Sequence, residues 1–485
     1  MSISGTMANA LSGLHAAARG AELVSANIAN ASTEGYGRRS LELSAALVGG
    51  RGAGVQIDGV ARAHDAALTG ARRQADAAAG AADARAAFYA GLSDAIGLPE
   101  TGGSLSGRIA GFEAALASAT AQPESEAALA AVRDAAAVLA GKFNGLDDAI
   151  QGARMAAEAE IAAGVGQLND ALARVEALNT DIVRTAASGH DTAALQDRRQ
   201  ALIDGISGLV ALRQVARENG AVALYTETGT SLLDGRAAVF SFAEAGVITA
   251  DMRVEDGRLS DLYVGGRAID FSDAAGPMAG GRLAALFEQR DALAPAAQQS
   301  LDALARDLIE RFQNAGLDPT QPPGAAGLFT DSGAALDPAD ESGLAGRISV
   351  NPAVDPAAGG ALWRLRDGLG AVAPGTGYDT VLLNGCADAM QAARTPASGP
   401  FSARPGSAAD LAARFLSSVA AAGETAAAEQ SYTATRRTAL QMAELAGGVD
   451  TDTELQDLLR LEEAYAANAK VLQTASALID LLMEI

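Results

Sequence analysis

Few side chains in this chain have the type and spacing needed for catalysis. Histidine precedes aspartate twice, at His64–Asp65 and at His190–Asp191. Adjacent side chains diverge on a helix or a strand, and no Gly-x-Ser-x-Gly turn is present, so neither pair predicts a catalytic triad. We expect helix-capping or surface positions for both histidines. The sequence therefore predicts no catalytic residue, no cofactor and no enzymatic activity.

Two short motifs resemble ligand sites. The glycine-rich residues 50–54 look like part of a phosphate loop, but no helix follows them directly, so a hairpin tip is the better interpretation. Asp450, Asp452 and Glu454 lack the glycine and the distal glutamate of an EF-hand. Thr451 and Glu454 instead have the spacing of a capping box, which predicts a helix start. The single cysteine, Cys386, fits neither an internal disulfide nor a zinc site, so we predict no metal.

Composition narrows the class of protein. The 485 residues suggest two to four domains, and 49% hydrophobic but only 4% aromatic residues favour narrow helix-on-helix seams. The formal net charge of −23 disfavours a nucleic-acid partner. Residues 1–18 carry no formal charge but lack the basic start of a signal peptide, so we expect an unprocessed N-terminus. No other uncharged stretch is long enough to predict membrane insertion.

The two ends of the chain carry matching apolar stripes whose spacing alternates between three and four, as in a helix packed along another helix. The C-terminal stripe contains Leu458, Leu461, Tyr465, Asn468, Leu472, Ile479 and Leu482. The N-terminal stripe contains Ile3, Met7, Leu14, Val24 and Ile28. We predict that the two stripes form a self-assembly seam, although periodicity fits equally well two helices that pack on a globular core. Asn468 either fixes the register of this seam or lies solvated at its edge.

The spacing of apolar residues changes along the middle of the chain. Residues 41–65 predict a short hairpin, and residues 124–188 predict long helices that Gly164 and Gly166 would bend. After about residue 213 the apolar period becomes two, which is typical of strands. The predicted strands lie at 221–228, 237–242, 246–254, 260–271 and 346–354. Residues 281–316 return to a helical pattern, and the sequence does not show which domain this helix joins.

We therefore predict a mainly α protein with a β-rich insertion, organised as an elongated multi-domain molecule. Residues 1–40 and 447–485 would form a terminal coiled-coil domain. Residues 41–212 and 407–446 would form a long-helix bundle that carries the hairpin. Residues 213–406 would form a β-rich inserted outer domain.

Both ends resemble a known family. Residues 11–40, LSGLHAAARGAELVSANIANASTEGYGRRS, and residues 461–485, LEEAYAANAKVLQTASALIDLLMEI, are similar to the terminal motifs of bacterial flagellar rod, hook and hook-associated proteins. Asn30, Gly35 and Tyr36 match the turn motif of that family, whereas Glu34 stands where the family commonly has proline. Residues 194–235 and 280–316 resemble the middle of its hook-associated members.

The resemblance implies an axial structural protein, exported through the flagellar type III apparatus with the help of an export chaperone. Its copies would form a ring at the junction between hook and filament, outside the cell. The hook protein and the next junction protein or the filament flagellin would be its neighbours. The sequence leaves two alternatives open, another axial protein of the hook or distal rod, and a secreted surface enzyme housed in residues 213–406.

Overall fold

A computed structural model describes residues 3–33, 35–48, 51–99, 101–271, 276–314 and 316–483. The helices are α1 (Ile3–Ala29), α2 (Ala66–Ile96), α3 (Leu105–Ala121), α4 (Glu126–Ala187), α5 (Ala193–Ser207), α6 (Gly281–Glu288), α7 (Ala294–Phe312), α8 (Leu344–Arg347), α9 (Arg364–Asp367), α10 (Val381–Gln391), α11 (Ala408–Ala446) and α12 (Thr451–Met483). The strands are β1 (Arg39–Val48), β2 (Arg51–Arg62), β3 (Leu212–Ala216), β4 (Val222–Thr226), β5 (Ser231–Asp234), β6 (Arg236–Ala237), β7 (Phe240–Ser241), β8 (Leu262–Val264), β9 (Arg267–Ile269), β10 (Phe329–Asp331) and β11 (Ile348–Val350). The predicted class, mainly α with a β-rich insertion, is confirmed.

Short polar side chains cap several of the long helices, as the sequence suggests. Ser125 accepts a hydrogen bond from the Ala128 amide at the start of α4. Helix α12 begins at Thr451, but Asp450 caps it by accepting from two backbone amides of the first turn. The predicted capping box of Thr451 and Glu454 is therefore wrong, because the Glu454 side chain is buried elsewhere.

Two apolar cores share α4. Its first half packs with α3, α7, α10 and the start of α11, and its second half packs with α5, α6 and strands β3–β9. Leu139 in the first core and Ile161 in the second are both fully buried, as the predicted seams require. The helix continues unbroken through Gly164 and Gly166. A Cβ on Gly164 would lie 3.0 Å from Leu283 Cδ2, so this glycine admits the close approach of α6.

The helix predicted at 281–316 also spans both cores. Helix α6 buries Phe287 in the second core, residues 289–293 continue as a π-helical turn, and α7 buries Phe312 in the first core. At this junction Arg290 Nη1 lies 2.7 Å from Glu158 Oε2, and both side chains are buried. A buried ion pair with further hydrogen bonds fixes the relative position of α4 and α6–α7.

The β-rich part of the chain is smaller than predicted. Strands β3–β6 form a four-stranded antiparallel sheet, and β7–β9 form a three-stranded one. The predicted strand at 246–254 is wrong. Its backbone is a loop because Arg154 donates hydrogen bonds to the carbonyls of Thr249 and Met252, at 2.9 and 2.8 Å.

Beyond the helix α6–α7, β10 and β11 form an antiparallel pair, and the other regular elements of the described residues up to 406 are short helices. The predicted hairpin near 41–65 is present as β1–β2. Gly49 and Gly50, at its predicted tip, lie outside the described residues. The division of the chain into three domains stays a proposal.

Candidate functional site: the terminal helix pair

Helices α1 and α12 pack against each other in opposite directions. A Cβ on Gly20 would lie 2.9 Å from Leu461 Cδ2, and a Cβ on Gly13 would lie 2.8 Å from Asn468 Nδ2. The two contacts are seven residues apart on each helix, so the same side of the pair repeats every two turns. The glycines allow the two helices to approach closely.

The predicted seam residues follow this contact with different degrees of burial. Val24 is buried, whereas Tyr465 and Leu482 are 47% and 60% exposed. The remaining predicted residues are half-buried, namely Ile3, Met7, Leu14, Ile28, Leu458, Leu461, Asn468, Leu472 and Ile479. The structure thus brings the two stripes together within one chain, while their role in self-assembly stays a prediction.

Asn468 lies in the seam opposite Gly13. Its Nδ2 donates a hydrogen bond to the Ala464 carbonyl of its own helix, at 2.9 Å. The side chain is half-buried, so it is not fully solvated, and this hydrogen bond stays within α12. Whether Asn468 fixes the register stays a prediction.

A group of polar side chains, which we call the polar joint, connects the end of α1 to the start of α12. It consists of Asn27, Tyr36, Arg38, Arg39 and Glu454. The fully buried Asn27 donates to the Arg39 carbonyl and to Glu454 Oε2, both at 2.9 Å. It accepts from the Tyr36 hydroxyl at 2.8 Å and from the Arg39 amide at 3.0 Å. All four hydrogen-bonding positions of the amide are therefore used.

Glu454 has a charged partner in the polar joint. Arg38 Nε donates to Glu454 Oε1 at 2.6 Å, and the Glu454 side chain is fully buried. A buried carboxylate is tolerated when it is paired and hydrogen-bonded, as it is here. Burial raises the pKa of Tyr36, which keeps its hydroxyl protonated as a donor.

The predicted turn motif ends α1 and leads into the joint. The Asn30 amide and Asn30 Nδ2 both donate to the Ala26 carbonyl, at 3.1 and 2.9 Å. Gly35 has a φ of +77°, a conformation that glycine adopts without strain. Glu34, where the family commonly has proline, lies outside the described residues.

The sequence interpretation missed the main residues of the joint. One further step of four residues from Leu458 toward the helix start reaches Glu454, so an extended seam would have included it. Asn27 lies one residue before Ile28, where the apolar stripe of α1 ends. Their contact joins residues 427 positions apart, which no local motif reveals.

Ion pairs connect the terminal pair to the rest of the chain. Asp197 of α5 lies 2.8 Å from Arg39 Nη2 and 2.6 Å from Arg62 Nε, at the base of the β1–β2 hairpin. Further along, Arg72 of α2 binds Asp204 of α5 at 2.7 Å and also contacts Glu444 of α11. Neither apolar core, as the described residues define it, contains a residue of α1, α12 or the hairpin. The two ion pairs of Asp197 therefore connect the base of the hairpin to α5.

The other sequence candidates have ordinary structural positions. His64 and His190 are exposed, and Asp65 caps α2 by accepting from the amides of residues 67 and 68. Cys386 is buried, which raises the pKa of its thiol to about 12. Within the described residues, no group of three or more His, Cys, Asp or Glu side chains is arranged to hold a metal ion. No helix in the described part of the chain is long and apolar enough to cross a membrane.

Three family models match the sequence. They are described as the flagellar hook-associated protein FlgK helical domain at residues 96–327, the flagellar basal body rod FlgEFG protein C-terminal at 446–485 and the flagella basal body rod protein at 7–36. The first covers much of both cores. The other two fall on the terminal helices α12 and α1.

Several individual proteins that are similar to this chain are named flagellar hook-associated protein 1. Flagellar hook-associated protein 1 of Salmonella typhimurium is 27% identical over 238 residues, which cover 47% of this chain and 42% of that protein. Its counterpart in Bacillus subtilis is 23% identical over 361 residues, which cover 67% and 69%. The match thus spans less than half the length of the Salmonella relative.

The solved structure of the flagellar hook junction protein FlgK from Burkholderia pseudomallei has a TM-score of 0.45 at 19% identity. The match covers 55% of this chain and 46% of that one. The family models fall on the terminal pair and on α3–α7, which belong to the elements α2–α11 around the two cores that we call the body. The chain is thus similar, in its terminal helices and in its helical middle, to the hook-associated proteins of the bacterial flagellar rod and hook family.

Proposed function

We propose that this chain is a structural subunit of the bacterial flagellum that forms the junction between hook and filament and polymerises through its terminal helices. The names of its relatives and the helical-domain match support this role. The terminal motifs alone would equally suit a hook or distal rod protein. The helical-domain match at 96–327 is what favours a hook-associated protein.

The outer face of α12 carries the proposal. Of its 33 residues, all of which the structure describes, Glu454 and Ala475 are buried. On the side away from α1, Leu459 and Leu481 are 61% and 57% exposed, and Leu455 and Leu478 lie toward the two edges of the contact, 49% and 48% exposed. Each large apolar side chain gains about 1.5–3 kcal/mol when it is buried. We call Leu459 and Leu481 the outer strip, and we propose that it packs against other copies of the chain.

The proposed assembly follows from this surface. Like subunits around an axis meet through heterologous contacts, so each copy would use the outer strip and a second, different surface of its neighbour. The other proposed partners are the hook protein on one side and the next junction protein or flagellin on the other. An export chaperone and the type III apparatus would deliver the chain to the outside of the cell. We propose no enzymatic activity.

The substitution Leu459→Asp tests the role of the outer strip. A charge at this exposed position should leave the fold of the single chain intact but oppose its burial between copies. In a strain that lacks the chain, the variant should leave hooks bare and flagellin in the medium, scored by electron microscopy and by immunoblotting of the supernatant.

The matched control is Val247→Asp, which introduces the same charge at a 67% exposed position outside the terminal pair. It should restore filament attachment. Normal filaments on cells that produce Leu459→Asp would contradict the proposal, as would equal loss of filaments in both variants when both are exported and folded.

A further inference from the structure

The apolar pattern of the terminal pair permits more than one register. In the observed register, Leu461 packs on Gly20 and Asn468 packs on Gly13. A shift of α12 by four residues, about one helical turn, would place Tyr465 on Gly20 and Leu472 on Gly13. The shifted register therefore replaces a polar contact at Gly13 with an apolar one, and neither glycine contact opposes it.

The connection between α11 and α12 does not prevent such a shift. Residues 447–450 join the two helices, and unwinding the first turn of α12 would lengthen this link. The first turn contains Thr451, Asp452 and Thr453, all exposed, so little buried surface holds it in place. Glu454, the next residue, is fully buried.

The polar joint distinguishes the two registers. In the shifted register, Leu458 would take the place of Glu454 opposite Asn27. One N–H of the buried Asn27 amide would then lose its acceptor, and Arg38 would lose the carboxylate that it contacts at 2.6 Å. Leaving buried donors unpaired is costly, and a hydrogen bond to a charged group is among the stronger ones.

We propose that Glu454 is a positioning residue that fixes the register of the terminal helix pair through Asn27 and Arg38. A single buried polar side chain in a helical seam can exclude alternative registers that apolar contacts would allow. This proposal concerns the pairing of two helices within one chain, so it can succeed or fail independently of the assembly role.

Two cysteine pairs report the register in the purified full-length chain. Asn468 Cγ lies 2.9 Å from the Cβ position of Gly13, so Gly13→Cys with Asn468→Cys is placed to form a disulfide in the observed register. Gly13→Cys with Leu472→Cys reports the shifted register. The native Cys386 is buried with a raised thiol pKa, so it does not compete in mild oxidation.

With Glu454 present, the first pair should cross-link and the second should not. In the Glu454→Leu background, the yield of the shifted pair relative to the observed pair should rise about tenfold, since hydrogen bonds to charged groups contribute on that scale. Glu454→Gln, which keeps one acceptor oxygen, should give an intermediate ratio. Glu462→Leu makes a similar change at an exposed position of α12 and should leave the ratio as in the wild type.

Three outcomes would overturn the proposal. The first is an unchanged ratio in Glu454→Leu. The second is loss of both cross-links in Glu454→Leu while the circular dichroism of the helices is retained, because the joint would then hold the pair together without choosing a register. The third is failure of the observed pair to cross-link in the wild-type background.

Discussion

Helices α4 and α12 are both long, yet they relate to the rest of the chain in opposite ways. Helix α4 buries 20 of its 62 residues, whereas α12 buries two of 33. Helix α4 packs against other elements of the chain in two cores along its length. The partners of α12 cover one narrow face. The comparison shows that α4 buries more of its surface within the chain than α12 does, which is the basis of the proposal that other copies cover the terminal pair.

The kind of buried residue differs as well. Helix α4 buries large side chains such as Phe143 and Ile150, whereas α1 buries mainly Ala, Gly and the amide of Asn27. The terminal pair is therefore held by the close approach of two helix backbones and by the polar joint, with few large apolar side chains buried between the helices. We therefore expect the terminal pair to open at a lower free energy than the body.

The largest effect should come from a cavity in the body. Phe112 is fully buried, with its ring 5.5 Å from that of Phe329 and 5.9 Å from that of Phe312. Phe112→Ala should lower the free energy of unfolding by about 3–5 kcal/mol, because a cavity remains. Urea denaturation followed by the fluorescence of the single tryptophan, Trp363, measures it.

The matched truncation in the terminal pair is Leu459→Ala, at a 61% exposed position. It should leave the same unfolding curve unchanged within about 0.5 kcal/mol. A comparable loss of stability in both variants would show that the body and the outer strip are not energetically distinct.

A smaller, pH-dependent effect should come from Asp302, a buried carboxylate of the body. It accepts from the amides of Gly343 and Ala345 at 2.8 and 2.9 Å and from Gln298, which it shares with Asp147. Unlike Glu454, Asp302 has no ion-pair partner among the described residues, and burial raises its pKa to about 6. A raised carboxyl pKa means that the folded state binds the proton more tightly. Its stabilising contribution is present below pH 4 and is lost as the pH rises through 6.

Relative to Asp302→Asn, the wild type should therefore lose about 2 kcal/mol of stability between pH 4.5 and 7. Denaturation curves of both proteins at each pH measure the difference. Asp251→Asn is the control, because hydrogen bonds lower the pKa of that exposed carboxyl to about 2, outside this range. A difference that stays constant with pH for Asp302→Asn would contradict the assignment.

The smallest effect on global stability should come from the seam. Gly20→Val would force Leu461 away from α1, whereas the side chain of Gly111→Val in α3 would meet open space. Both substitutions replace glycine by valine within a helix, so they change the intrinsic helix propensity by a similar amount. Gly20→Val should therefore accelerate amide hydrogen exchange in α12 without changing the unfolding of the body, and Gly111→Val should not alter exchange in α12. Equal exchange of α12 in the two variants would argue against a close seam.

Local pattern was sufficient for much of the fold. The alternating spacing of Leu139, Phe143 and Leu146 predicted a buried face, and all three are buried in the first core. The two terminal stripes predicted helices that end within a few residues of the observed bounds. Helical periodicity and glycine positions are properties of neighbouring residues, which is why the sequence reveals them.

The errors concern residues whose environment comes from far along the chain. Glu454 has the position of an N-terminal capping residue, but Asn27 and Arg38 draw it into the interior. Residues 246–254 have the alternating pattern of a strand, but the buried Arg154 donates hydrogen bonds to the carbonyls of Thr249 and Met252. In each case a charged or polar side chain from a distant element overrides the local preference. The spacing of neighbouring residues does not show which distant residues come into contact.

The unbroken α4 has a mechanical consequence. At 1.5 Å per residue its 62 residues extend about 93 Å, and α6–α7 runs across the same boundary between the cores. A pull or a twist applied to one core thus reaches the other along continuous hydrogen-bonded backbone, with no flexible loop in series. We therefore expect the two cores to move together as one rigid unit. Bending would then occur mainly at the ion-paired base of the terminal pair, where the hairpin meets α5.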